Sequence, residues 1–415
     1  MPEFDASAVA VVDRVARQER RALIAALTRR LGADRIDLID DVAQEALLSA
    51  LTLWPYQGVP EHPGAWLRRV AWNKALDILR RQARQTDLSD DVLESLALSD
   101  FRRQDAPFDD ARLEVLALCT NQSLKPLDQI LLALRLVGGL TNAESAEALL
   151  MQRDAVGQRL ARATRRLARD DTLVVSLPSR AVLAQQTEQW CSVIYLMFSV
   201  GYLPRHGQTA LRQDLCLEAL DLARALTAET SVPAGTPHAL AALLSFQCAR
   251  LDARLAAGDR PTLLGDQDRM RWDPQRRQDG FRYLKQARAA SREPSRIHLE
   301  AAIAGCYAAA PSYEQTDWPA IVRLHEVLGR VWPNPVTKVG HAVALVEAGR
   351  APEALALLEP LRGDRQLAVY APFAMALAHA YRAVGQEDDA RAMLTEAEAM
   401  AVSESTRQHI DALLA

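Results

Sequence analysis

Along almost the whole chain, apolar residues recur at three- and four-residue intervals, and no stretch alternates apolar and polar as a half-buried strand does. That periodicity predicts an all-α fold. The stretch DDVAQEALLSALTLW shows it clearly: Ile39, Val42, Ala43, Ala46, Ala50 and Leu53 form an inward stripe. Asp41, Gln44 and Glu45 fall at i, i+3 and i+4 on a second face, which Leu48 continues one turn later. Acid, amide and acid beside a leucine exceed what solubility demands, so this face is expected to meet a partner.

A second pattern lies in LALRLVGGLTNAESAEALLMQRDAVGQRLARATRRLA. Leu131 to Val137 closes one helix, and Gly138-Gly139 ends it where left-handed backbone angles cost little. Thr141 is placed to cap a short helix, with Glu144 completing a capping box. A longer helix follows from about Asp154, with Val156, Leu160, Ala163 and Leu167 inward and Gln158, Arg159, Arg162, Arg165 and Arg166 outward. This is the outline of a helix-turn-helix whose basic second helix suits a major groove. A plain αα-hairpin with an arginine-rich face is the alternative. Gly157 inside the second helix costs ~1 kcal/mol relative to alanine.

Charge changes the picture more than composition does. The 415 residues are 49% hydrophobic and 25% charged with a net charge of −4, so any nucleic-acid surface must come from local segregation. Residues 66–84 carry Arg68, Arg69, Lys74, Arg80, Arg81 and Arg84 against Asp77 alone. Residues 86–110 are acidic, from Asp87 to Asp110, and residues 152–170 are basic again. The layout is two cationic helical units joined by an acidic connector, although a charge run by itself also fits a solvated face. Cys119, Cys191, Cys216, Cys248 and Cys306 stand apart without metal-ligand spacing, and are expected to be reduced and half-buried in a cytoplasmic protein. No apolar run is long enough to span a bilayer, and MPEFDASAVAVVDRVARQER lacks the pattern of an export signal. No phosphate loop, HExxH or Ser/His/Asp grouping points to an enzyme or a catalytic residue, and neither metal nor cofactor is expected.

The C-terminal half is also helical in pattern. VGHAVALVEAGRAPEALALLEPL and FAMALAHAYRAVGQEDDARAMLTEAEAM are self-similar, with Gly349 and Gly385 one 36-residue step apart. Helical hairpins on that step are close to tetratricopeptide (TPR-like) repeats. Such hairpins either form a concave surface for a protein or peptide, or simply cover one another. The acids of GDQDRMRWD (Asp266, Asp268, Asp273) are expected to form an inter-helix ion-pair network with Arg269 and Arg271.

Taken in order, DDVAQEALLSALTLWP, HPGAWLRRVAWNKALDILRR and the helix-turn-helix resemble bacterial extracytoplasmic-function (group 4) sigma factors. The resemblance implies that Asp41, Gln44, Glu45, Leu47 and Leu48 bind the β′ clamp helices of core RNA polymerase, with Leu47 standing where the family commonly has Phe. It implies that the second stretch opens and reads the promoter −10 element. Arg68, Arg69, Lys74, Arg80 and Arg81 then form a cationic track, Asn73 and Asp77 offer polar groups, and Tyr56, Gln57 and His62 line a pocket loop for an extruded base. Trp66 reads as core. The helix-turn-helix corresponds to region 4, which meets the β flap and reads the −35 element. There Thr141, Arg153, Gln158, Arg159 and Arg162 are the candidate readers, and Arg165 and Arg166 the phosphate contacts.

YLMFSVGY, DLCLEALDLAR, LLGDQDRMRWD and TDW resemble landmarks of a sigma-factor subgroup with a C-terminal TPR-like extension that controls activity, with Val200 where an acid is usual. The organisation implied is region 2 over 1–85, an acidic linker over 86–110, region 4 over 111–175, a helical extension over 176–290 and repeats over 291–415. The partners implied are core polymerase, promoter DNA and a regulatory protein or peptide, with no membrane. The competing reading is a helix-turn-helix transcriptional regulator with a TPR-like sensing domain, which needs no polymerase-binding face.

Overall fold

The computed structural model describes residues 19–86, 110–120, 123–149, 151–167, 180–202, 211–229, 232–254 and 264–400 apart from positions 21, 29, 33 and 34, together with Thr262 and a few positions beyond 400. Every regular element among them is helical. The acids of the connector from Asp87 to Asp109 lie outside the described residues. The chain forms two compact units, Met1–Val200 with Ala228–Val232, and Gly201–Thr227 with Pro233–Ala415.

In the first unit, α1 over residues 22–28 precedes the antiparallel pair α2 (Ile36–Gln57) and α3 (Pro63–Thr86). Ile39, Val42, Ala43, Ala46 and Ala50 of α2 are buried, as are Leu67, Ala71 and Ala75 of α3. Leu53 departs from the expected stripe. It is 38% exposed, and Trp54, at 2%, takes the inward position and meets Trp66 edge-on with ring centroids 5.4 Å apart. The large indole at position 54 fills the end of the helix pair and turns the neighbouring leucine outward. The helix also runs through Pro55. So close to the helix end, the missing N–H removes only one ladder bond. Gly58, at φ 82°, ends α2.

Four short helices follow: α4 (Ala111–Cys119), α5 (Pro126–Leu136), α6 (Asn142–Ala148) and α7 (Arg153–Leu167). Each boundary has a local chemical cause. The Asp110 carboxylate accepts the Arg112 N–H at 2.8 Å to cap α4, and Pro126 opens α5. Gly139, at φ 63°, turns the chain out of α5, with Leu140 N–H donating back to the Leu134 carbonyl at 3.1 Å. The capping box of α6 is formed. Glu144 N–H donates to Thr141 Oγ1 at 3.2 Å, and Glu144 Oε2 accepts the Thr141 N–H at 2.7 Å. Val156, Leu160, Ala163 and Leu167 of α7 are buried.

Helix α8 (Arg180–Tyr202) packs back onto this group. Fully buried Trp190 donates from Nε1 to Thr120 Oγ1 at 2.9 Å, and Gln186 donates to the Thr120 carbonyl at 2.9 Å.

In the second unit, α9 (Gln213–Ala228) is followed by α10 (Gly235–Ala249), which is buried over most of its surface and packs against α11 (Pro274–Ala290) and α12 (Arg296–Ala309). The run then continues through α13 (Trp318–Val331), α14 (Pro335–Glu347), α15 (Ala351–Leu358), α16 (Ala371–Ala383) and α17 (Glu387–Met400). The two self-similar segments fold as equivalent hairpins. Gly349 (φ 75°) donates to the Val346 carbonyl and Arg350 to that of Leu345. Gly385 (φ 81°) and Gln386 donate in the same way to Arg382 and Tyr381. A Cβ at either glycine would meet nothing within 4 Å, so the backbone angle alone selects glycine there.

Among the described residues, two of the acids of GDQDRMRWD serve as helix caps, and Arg269 turns to an aromatic ring and to carbonyls. Asp268 and Asp273 cap the helical segments that follow them, accepting N–H groups from Met270 (2.9 Å) and Arg276 (3.0 Å). The Arg269 guanidinium lies over the Trp272 ring at 4.3 Å and donates to the Tyr307 and Ala310 carbonyls. An aspartate one residue before a helical turn satisfies orphan N–H groups at once, without having to reach across to another helix.

Candidate nucleic-acid and protein interfaces

The outer face of α2 carries Asp41, Gln44, Glu45 and Leu48, all exposed, with Leu48 at 54%, while Leu47 is half-buried. Glu45 is not alone there. Its Oε2 accepts from Lys74 Nζ of α3 at 2.8 Å, so one residue expected on the protein-binding face holds one expected on the DNA track. Both side chains are substantially exposed, and such pairs are worth ~0–1 kcal/mol. The pair opens at little cost to an incoming partner.

Along α3, Trp66, Arg69, Asn73, Asp77 and Arg80 fall at successive three- and four-residue intervals and share one stripe. Arg69, Asn73, Asp77 and Arg80 are exposed, and Arg80 Nη1 lies 3.6 Å from Asp77. Arg68 and Arg81 are exposed on the flanks of the stripe. Trp66, read from the sequence as core, is only half-buried. Tyr56 (67% exposed) and Gln57 lie in the last turn of α2, a correction to the loop expected there, because the helix continues through Pro55. His62 is exposed ahead of α3, and its carbonyl accepts the Trp66 N–H at 3.2 Å.

On α7, Gln158, Arg162 and Arg165 occupy the outermost stripe at i, i+4 and i+7, and Arg153 and Arg166 are also exposed. Arg162 and Arg165 fold back on their own helix, donating to the Gln158 and Ala161 carbonyls. Arg159 departs from the expected outward set. It lies on the flank nearest α5, is half-buried, and donates to Asp128 at 2.8 Å, so it braces the helix-turn-helix internally. The Thr141 hydroxyl is occupied by its cap.

One feature of this unit has no counterpart in the sequence reading. Asp40, immediately before the exposed face of α2, receives Arg135 from the last turn of α5, and Arg20 lies 3.5 Å away. The same two arginines also donate to the Leu140 carbonyl (3.0 Å) and the Gly139 carbonyl (2.8 Å). The α2–α3 pair and the helix-turn-helix are therefore interlocked through one largely buried carboxylate. Burial holds Asp40 above the usual carboxylate range even though Arg135 and Arg20 pull it down. The only sequence signal is that Arg135 is the single charge in an otherwise apolar helix end.

Among the described residues, no group of three or more His, Cys, Asp or Glu is placed to hold a metal ion, and no helix is long and apolar enough to cross a membrane. All five cysteines are free thiols. Cys119, Cys191, Cys216 and Cys248 are fully buried rather than half-buried, and burial pushes the Cys248 thiol up to about 12.

Comparison with known families matches two segments of the chain. A model described as Sigma-70 region 2 matches residues 16–85, which contain both the α2 face and the α3 stripe. A model described as Family of unknown function (DUF6596) matches residues 186–288, from within α8 to near the end of α11. An uncharacterized protein of Rhizobium meliloti (strain 1021) is 34% identical over 404 residues, covering 94% of this chain and 93% of its own length. No solved structure matches. The chain aligns with that relative over nearly the full length of both and matches region 2 at residues 16–85, and so it belongs to the sigma-70 family of non-enzymatic transcription initiation factors, which bind core RNA polymerase and promoter DNA.

Proposed function

We propose that the chain is an extracytoplasmic-function-type (group 4) sigma factor whose C-terminal helical unit controls its activity. The exposed face of Asp41, Gln44, Glu45 and Leu48, with Leu47 beside it, is the reading's main support. It grips the β′ clamp helices, and its surface pair with Lys74 opens as it does so. The Arg69–Asn73–Arg80 stripe and Arg68 track the melted −10 strand, with Trp66 as a stacking surface and Tyr56, Gln57 and His62 at its end. The α5–α7 unit docks on the β flap and reads the −35 element through Arg153, Gln158 and Arg162, with Arg165 and Arg166 on phosphates. The hairpins carrying Gly349 and Gly385 act as TPR-like repeats that receive a regulatory protein or peptide.

A pull-down with core polymerase tests the central claim. Wild type is retained, and the Asp41→Arg/Glu45→Arg variant, which changes only exposed groups, is lost. Equal retention defeats the assignment of this face and leaves the helix-turn-helix regulator as the better reading.

A further inference from the structure

The contact between Asp40 of α2 and Arg135 of α5 joins two helical groups with separate promoter elements to read, and neither task uses it. Both groups lie in the first unit. The contact limits how far apart their DNA-reading surfaces sit. On one side, Asp40 shares α2 with Glu45, whose carboxylate holds Lys74 at 2.8 Å, next to Asn73 of the α3 stripe. On the other, Arg135 shares α5 with Asp128, which holds Arg159 of α7 at 2.8 Å, next to Gln158.

Those contacts form a continuous path from the backbone of Lys74 to that of Arg159. At ~1.5 Å per residue along each helix, and with every side chain fully extended in one straight line, the path is on the order of 60 Å at most. Elements named for positions −10 and −35 lie about 25 base pairs apart, which at ~3.4 Å per pair is ~85 Å. Even the longest path falls short by about 25 Å. The arrangement lets the chain hold one element, not both.

The interlock is built from groups that can part. Arg20, ahead of α1, adds a second crossing contact by donating to the Gly139 carbonyl at 2.8 Å. Asp40, Arg135 and Arg20 keep side-chain exposures of 18%, 19% and 28%, so water can take over each group as its partner leaves. The position of Asp40 also points to what separates them. Asp40, Gln44 and Leu47 fall at i, i+4 and i+7 on one flank of α2, so a partner seated on Gln44 and Leu47 arrives against the Asp40–Arg135 pair.

We propose that the Asp40–Arg135–Arg20 interlock is an autoinhibitory latch. It keeps the polymerase-free chain from engaging both promoter elements, and core polymerase on the Gln44 flank releases it. The latch rests on the reading of α3 and α7 as the −10 and −35 surfaces.

Forked DNA from a promoter that the holoenzyme transcribes, with a duplex −35 element and a single-stranded −10 element, tests it without polymerase. The wild-type chain is expected to bind this fork and the −35 duplex alone within about twofold of each other. Arg135→Met is expected to prefer the fork by at least about fivefold, because the second element then adds its affinity. Conversely, Asp40→Cys/Arg135→Cys is tethered with a short bis-methanethiosulfonate and assayed with core polymerase. Cys306→Ser in the same chain removes the half-buried thiol, and the other four cysteines are buried. Run-off transcription is expected to fall at least about tenfold on tethering and to return on adding reductant. Where the cysteine pair is inactive even after reduction, the Arg135→Met comparison decides. Full transcription by the tethered chain overturns the latch, and so does an Arg135→Met chain that binds the −35 duplex without preferring the fork. If the −35 duplex binds neither protein, the reading of α7 is what fails, and the latch falls with it.

Discussion

Replacing Arg135 with methionine tests the interlock between α2 and α5 most directly. The substitution keeps the aliphatic stem and removes the closer of the two guanidinium groups from Asp40, leaving Arg20 at 3.5 Å. Breaking a fully buried pair costs ~3–5 kcal/mol; with Asp40 and Arg135 still 18% and 19% exposed, about 1–3 kcal/mol is the expected loss. Asp40→Asn is expected to behave differently. Asp40 is raised above its ordinary value of 3.8 by burial, so it supports the fold most below that value and gives up that contribution as pH rises through the folded value. At neutral pH the charge is held at a net cost, and asparagine keeps an acceptor for Arg135, so Asp40→Asn is expected to shift stability by less than ~1 kcal/mol in either direction. The double variant is then expected to recover roughly half or more of the Arg135→Met loss, since no unpaired charge remains. Hydrogen–deuterium exchange over α2 and α5 at neutral pH reads these differences locally. The Arg135→Met loss is also expected to shrink as pH falls through the Asp40 value. Asp40→Asn as damaging as Arg135→Met, or a double variant worse than Arg135→Met alone, refutes the reasoning.

Gly157→Ala is expected to stabilise α7 by about 0.5–1 kcal/mol, because the added Cβ meets only Asn142 Nδ2 at an ordinary 3.6 Å; thermal melting checks it. Arg165→Ala, at a proposed phosphate contact, is expected to reduce promoter binding and flatten its log–log salt dependence by ~0.9, whereas Arg159→Ala leaves that slope unchanged and lowers helix-turn-helix stability. Trp190→Phe removes the Nε1–H from buried Thr120 and is expected to cost about 1–3 kcal/mol, read by denaturant unfolding. Removing everything after Tyr202, which keeps α8 on Thr120, is expected to change run-off transcription sharply relative to the full chain, while a cut near residue 175 damages the fold by uncovering Thr120 and its neighbours.

Periodicity and local chemistry were legible where one helix decides its own fate. The Thr141–Glu144 capping box, the Gly139 turn and the inward stripe from Ile39 to Ala50 follow from residues a few positions apart. Two details at the end of α2 were not legible: Trp54 rather than Leu53 is buried, and the helix runs on through Tyr56 and Gln57. What stayed hidden depends on pairs distant in sequence. Asp40 finds Arg135 and Arg159 finds Asp128 only after two helices pack. Lys74 likewise reads as one more cation until α3 brings it against Glu45.

The matching turns at Gly349 and Gly385 set the natural quantum of length change in this part of the molecule. A whole hairpin inserted or removed leaves each remaining helix facing its neighbour. A single inserted residue inside α16 instead rotates everything beyond it by about 100° and points Ala376, Leu377 and Ala380 at water. Chains of this kind are therefore expected to differ by complete hairpins, with their exposed side chains free to diversify.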